Sequence, residues 1–187
     1  MTMKQKDLRI VMPQRGDVVN EAEVLGASVW LWMHSERHRT LSLHHLNQML
    51  LPVIRQGQYL LVFETDQPVF FFSWAYFDTA AEQRYLTDPE QLIDAADWSS
   101  GDRMWLIDWI APFGHTHHMR YLLDEELLPH SCSRILCRSA NGRRARVLQH
   151  RGRHVSLAEA TSYFNARPLQ FLNEKASVLA VTTGDQG

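Results

Sequence analysis

Lysine is nearly missing from this chain. Of its 19 basic residues only three are lysines, Lys4, Lys6 and Lys175, all close to the ends, and the rest are arginines. Two readings stand side by side: a GC-rich coding sequence, or an enzyme that acts on lysine and modifies itself less by carrying few. Cysteine is almost as scarce. Two thiols, Cys132 and Cys137, are too few for a secreted disulfide scaffold, so a reducing, cytoplasmic setting is expected. No apolar run approaches the ~20 residues needed to span a bilayer. The opening segment MTMKQKDLRIVMPQRGD has neither the apolar stretch nor the small-residue cleavage site of a signal peptide. Stable membrane insertion is therefore not expected. A net charge of −2 gives no general attraction to polyanions, and nucleic acid is not an expected partner.

What is present is ordinary globular material: 187 residues, 45% hydrophobic and 21% charged. That length favours one domain, and a chain of this size buries roughly 70% of its unfolded surface without a metal or disulfide. Residues 1–20 read as a loosely held polar arm. Val24, Leu25, Ser28, Val29, Trp32 and Met33 recur at helical spacing and predict a helix from about residue 21 to 37. A second helix is expected over 41–55, kinked or shortened at Pro52, with Gly57 past its end. QYLLVFE and VFFFSWA, joined by TDQP, predict a hairpin covered on both faces. A helix near 80–86 and a short one after Asp88-Pro89 come next. MWLIDWIAPF reads as a central strand, and His117 to Leu128 as an amphipathic helix stopped by Pro129. RILCRSA and ARVLQHRG predict a second hairpin about Asn141-Gly142. Ser156 and Glu159 form a capping box for a helix to about Arg167. Residues 169–187 read as a polar tail. Interleaved helices and antiparallel pairs imply an α/β fold with a mixed sheet.

The sharpest chemical feature is Asp108 in WLIDWI. A lone carboxylate on a buried strand is costly without a partner and tends to recruit a cation or a histidine. It reads equally as a structural cap. HSERHR places Ser35 and His38 three apart at the end of the first helix, close enough to meet on a helix. A Ser-His-Asp relay with Asp108 is conceivable, although no G-x-S-x-G elbow surrounds Ser35. The bland reading of His38 is a solvated helix-end histidine. His115, His117 and His118 cluster, but no carboxylate or cysteine at recognised ligand spacing accompanies them, so no metal is expected. Cys132 and Cys137, five apart on a strand, face opposite ways and read as inert thiols. Arg143, Arg144, Arg146, Arg151 and Arg153 crowd the second hairpin. They are either a solvated face or a dock for an acidic partner. The hairpin's exposed edge suggests a homodimer through the C-terminal half.

The strings VLGASVWLWMHSERHR, LPVIRQGQYLLV, PVFFFSWA, YLTD and DWSSGDRMWLIDWIAPFG resemble the RTX-toxin-activating lysine acyltransferases. The likeness spans about Val24 to Gly114. It implies a fold like the Gcn5-related N-acetyltransferases, carried on a single acyltransferase domain over 21–168. It implies transfer of a fatty acyl group from acyl-acyl carrier protein to internal lysines of an RTX protoxin. It further implies that His38 and Asp108 are catalytic, with Ser35 auxiliary. No bound cofactor is expected. The R/Q-x-x-G-x-G/A loop that cradles coenzyme A is missing, which favours a protein-borne thioester. Two rival functions are a coenzyme A-dependent N-acetyltransferase and a non-catalytic, chaperone-like toxin binder.

Overall fold

The computed structural model describes residues 8–13, 17–88, 92–138, 145–169 and 176–180. The Asn141-Gly142 turn, Arg143, Arg144 and the start of the helix expected after Asp88-Pro89 lie outside the described residues. The elements are β1 (Leu8–Val11), α1 (Glu21–His34), α2 (Leu51–Gln56), β2 (Tyr59–Glu64), β3 (Gln67–Phe77), α3 (Thr79–Thr87), β4 (Arg103–Ile110), α4 (Thr116–Leu122), β5 (Cys132–Arg138), β6 (Ala145–Arg151), α5 (Leu157–Ala166) and β7 (Ala176–Ala180). Each strand's ladder neighbour is the next strand in the chain. The β1/β2, β2/β3 and β5/β6 pairs are antiparallel, and the β4/β5 and β6/β7 pairs are parallel. The fold is thus α/β with a mixed sheet, as expected. The chain divides into two compact units, residues 1–74 with 108–116, and residues 75–107 with 117–187.

In the first unit, α1 starts where the Asn20 side chain accepts the N–H of Glu23, with Glu21 and Glu23 complementing the positive helix end. Its buried residues are Val24, Ser28, Leu31 and Trp32; Val24, Ser28 and Trp32 belong to the expected stripe, Leu31 is not an expected member, and Met33, which is, lies exposed. Glu21 is bound through both oxygens by Arg55, at 2.9 and 3.0 Å, which ties α1 to α2. The second helix departs from expectation. Leu46–Leu50 is a π-helical segment, and α2 begins only at Leu51 with proline in its first turn. Pro52 has no N–H to donate, so the wider turn upstream absorbs the missing helical bond. Gly57 then caps α2 in the left-handed conformation, φ 68°. β2 and β3 are buried almost throughout and turn through Thr65 and Asp66. Phe70, Phe71 and Phe72 are fully buried core. The segment read as an arm contains β1, which completes this ladder through Leu8↔Glu64 to Val11↔Leu61. Four residues among polar neighbours carry too little pattern to declare a strand whose partner lies about fifty residues on.

In the second unit, α3 is capped by Asp78, whose side chain accepts from Ala81 N–H at 2.7 Å. Gly101 packs so closely on the chain before α3 that a Cβ there would lie 2.5 Å from the Phe77 carbonyl oxygen. The capping box of α5 forms as the sequence predicts. Tyr163 on α5 accepts from Met104 N–H and donates to the Asp102 carbonyl, anchoring the helix to β4. β7 lies in the segment read as a tail and pairs with β6 along its outer side. The hairpin is therefore not an open edge, and the homodimer loses the argument that suggested it. Cys132 and Cys137 are free, and burial pushes the Cys132 thiol up.

The core of this unit holds an ion cluster. Glu82 on α3 accepts from Arg103 at 2.8 Å, from Arg134 at 3.0 Å and from the Trp105 indole at 2.9 Å. All four side chains are buried. Desolvation raises the Glu82 carboxyl despite the Trp105, Arg134 and Arg103 contacts that oppose it, and desolvation likewise lowers the Arg134 guanidinium. Removing one member of such a cluster strands the others in a medium that solvates them poorly. Glu82→Ala is expected to cost about 3–5 kcal/mol of folding free energy, read from the urea midpoint. A loss below about 1 kcal/mol would show that water reaches the two arginines.

Candidate active site

The residues singled out as Ser35, His38 and Asp108 all belong to the first unit, and the fold brings them into one hydrogen-bonded chain. The mechanism of assembly is local. α1 ends at His34, and Ser35 leaves it with extended backbone, φ −95° and ψ 125°. The chain then re-coils: His38 N–H and Arg39 N–H both donate to the Ser35 carbonyl, at 3.1 and 3.0 Å. Ser35 and His38 therefore meet across a separate turn rather than along a helix. That turn swings the imidazole inward. His38 is 6% exposed, not the solvated helix-end residue of the bland reading. Its ring packs on Trp32 with centroids 4.9 Å apart.

His38 Nδ1 lies 2.8 Å from Ser35 Oγ, and Nε2 lies 3.1 Å from Asp108 Oδ1. With the carboxylate ionised, Nε2–H donates to Asp108. Nδ1 is then the lone-pair nitrogen and accepts from the serine hydroxyl. Asp108 sits in β4, 3% exposed, and its own N–H donates to Ser73 Oγ at 3.2 Å. Its second oxygen, Oδ2, is buried without a hydrogen-bond partner. Ser73 and Trp32 are the members sequence reasoning missed. The legible signal for Ser73 was a single hydroxyl inside the apolar run VFFFSWA.

Two other serine–histidine contacts serve as internal controls. Ser42 Oγ and His45 Nδ1 meet at 3.0 Å in a similar S-x-x-H turn, but at the surface. In the second unit, Ser133 Oγ lies 3.2 Å from His150 Nδ1, and His150 Nε2 lies 2.6 Å from Asp124. That arrangement copies the connectivity of the first, yet Ser133 is completely buried. Only the Ser35 arrangement, among the described residues, joins a buried histidine and acid to a serine that solvent reaches.

The other candidates disperse. His115 lies 3.7 Å from Glu64, while His117 and His118 are exposed. Among the described residues no group of three or more His, Cys, Asp or Glu is placed to hold a metal ion. Arg146 is exposed, Arg151 donates to the Val155 carbonyl at 2.7 Å, and Arg153 is paired with Glu125. Trp109 packs edge-on against Phe70 and Phe72.

A mixed α/β sheet carrying a serine–histidine–carboxylate relay, open only at the serine, defines a candidate acyl- or ester-handling enzyme. The comparisons narrow that class. Residues 17–151 match the model of the HlyC, or RTX toxin acyltransferase, family. The chain belongs to that family. It is 36% identical over 169 residues to the leukotoxin-activating lysine-acyltransferase LtxC of Aggregatibacter actinomycetemcomitans, covering 87% of this chain and 97% of the relative. It is 41% identical over 138 residues to the protein-lysine palmitoyltransferase CyaC of Bordetella bronchiseptica, covering 73% and 74%. It is 35% identical over 153 residues to the protein-lysine myristoyltransferase RtxC of Kingella kingae, covering 80% and 88%. The family match runs well past Gly114, where the sequence motifs fade.

Proposed function

We propose that this chain moves a fatty acyl group from the thioester of an acyl carrier protein to internal lysine side chains of an RTX protoxin. It does so in the cytoplasm, with Ser35, His38 and Asp108 as its catalytic relay. The observation that carries this reading is the chain Ser35 Oγ–His38–Asp108, built on the motif residues of a family whose members are named for lysine acylation. Among the described residues, no helix is long and apolar enough to cross a membrane. The missing coenzyme A loop supports a donor whose thioester is held by a protein.

The chemistry follows from the proton inventory. Both ring nitrogens of His38 are engaged, Nε2 by the acid and Nδ1 by the serine. The first group the base deprotonates is therefore the Ser35 hydroxyl. As Ser35 Oγ attacks the thioester carbonyl, its proton passes to Nδ1. The C–S bond breaks, and the thiolate leaves with that proton. A lysine ammonium, with a pKa near ~10.4, must then shed a proton to bulk water before it can attack the serine ester. As the neutral amine adds, its remaining surplus proton passes to Nδ1. The ester C–O bond breaks, and Ser35 Oγ recovers the proton. Asp108 at Nε2 holds the ring in the required tautomer and stabilises the imidazolium formed in both steps.

Intact mass tests both parts. Incubated with acyl-acyl carrier protein and protoxin, the chain should raise the protoxin mass by whole acyl groups. Incubated with donor alone, it should itself gain one acyl group. Ser35→Ala should show no self-adduct and lose about a hundredfold or more in transfer. Wild-type transfer by Ser35→Ala would place the attack directly on lysine, with His38 as its base. Unchanged protoxin mass with the wild-type chain would favour a binding role over an enzymatic one.

A further inference from the structure

The relay is open on one side only. His38 and Asp108 are buried, and Ser35 is the member that solvent reaches. Whatever presents the thioester must therefore press its carrier against the surface around Ser35. That surface is the segment 33–45, MHSERHRTLSLHH. It is basic and apolar together. Arg37, Arg39, His34 and His44 are exposed, and the one acid is Glu36. Met33 is 64% exposed and Leu43 is 79% exposed, two large apolar side chains open to solvent on the segment that carries the buried ring. Phe113, partly exposed, packs beside His34 and Trp30 on the same end of α1.

Of the rival basic surface, Arg143 and Arg144 lie outside the described residues and Arg146 is exposed. On the second hairpin Arg151 is turned to a carbonyl and Arg153 to Glu125, and Arg103 is buried against Glu82.

Resting on the donor reading above, we propose that the acyl carrier protein docks on the turn 33–45, with Arg39 and Arg37 meeting its acidic face and Met33 and Leu43 its apolar contacts. Carrier proteins of this type are acidic, so charge complementarity orients them. The prosthetic arm then needs only to cross from the rim to Ser35. This placement binds the donor through the turn that also positions His38, so carrier recognition and the base share one short segment.

The test is a steady-state comparison of Arg39→Glu and Arg146→Glu, using purified acyl-acyl carrier protein and protoxin with the full chain. Arg39→Glu should raise the KM for the acyl carrier protein about tenfold and flatten its salt dependence, leaving the KM for protoxin in place. Arg146→Glu should leave the carrier KM unchanged. Circular dichroism and melting confirm that both variants are folded. A carrier KM that moves with Arg146→Glu and not with Arg39→Glu overturns the assignment and returns docking to the hairpin. A rise in the protoxin KM alone overturns it in favour of the other protein partner. If the wild-type chain takes no acyl group from the carrier protein at all, the donor reading fails first, and that outcome is distinct from either.

Discussion

His38→Ala is expected to abolish acyl transfer, with a loss of about a thousandfold or more. The substitution removes the group that is bonded to both the Ser35 hydroxyl and the Asp108 carboxylate. It also removes a partner from a buried acid whose other oxygen already has none. The cost to the fold is therefore larger than for a surface histidine, about 3 kcal/mol by analogy with broken buried pairs. A loss of activity in that variant alone would be ambiguous. His38→Gln resolves it. The glutamine amide is long enough to donate to Asp108 Oδ1 and has no basic nitrogen. It should recover most of the melting temperature and none of the transfer. An active, folded His38→Gln would remove the histidine from the mechanism.

The parts of this molecule that could be read in advance are those decided by neighbours in sequence. Most of the α1 stripe, the Ser156/Glu159 capping box, the β2–β3 hairpin and the β5–β6 pair each depend on residues near one another in the chain. Strands β1 and β7 escaped because their pairing is non-local and their runs are short. The π-helical segment at Leu46–Leu50 escaped because a proline predicts that something must give, not what. The site shows the same division. His38 and Asp108 stood out for their surroundings in sequence and the motifs they share with a family, but 70 positions separate them, and nothing in either segment required that they touch. The arginines of the second hairpin cluster in sequence as either a solvated face or a dock, and folding gives Arg151 and Arg153 partners inside their own unit while Arg146 stays exposed. The second relay, Ser133–His150–Asp124, had no sequence signal at all, because the π-helical segment Leu123–Leu127 after α4 and two strands each supply one member.

Asp108→Asn separates catalysis from stability most cleanly. Asparagine keeps the shape of aspartate and removes its charge. Facing Nε2, its amide can accept from Nε2–H through oxygen, or donate to Nε2 through nitrogen. In the second case the ring proton moves to Nδ1, and the nitrogen facing Ser35 can no longer accept a proton. In either case no negative charge remains beside the imidazolium that forms when Ser35 or lysine is deprotonated. A fall of about 10³–10⁴ in turnover is expected, the scale seen where the acid of such a relay is neutralised. The effect on folding should have the other sign or none. Asp108 Oδ2 is buried and unpartnered, so the wild-type protein bears a desolvated charge that is satisfied on one side only. Neutralising it relieves that cost, while the amide still bonds His38 and the backbone N–H still reaches Ser73. Urea unfolding of Asp108→Asn should therefore give a midpoint equal to or above that of the wild type. Turnover near wild type together with a lower midpoint would make Asp108 a structural residue, and the relay would end at His38.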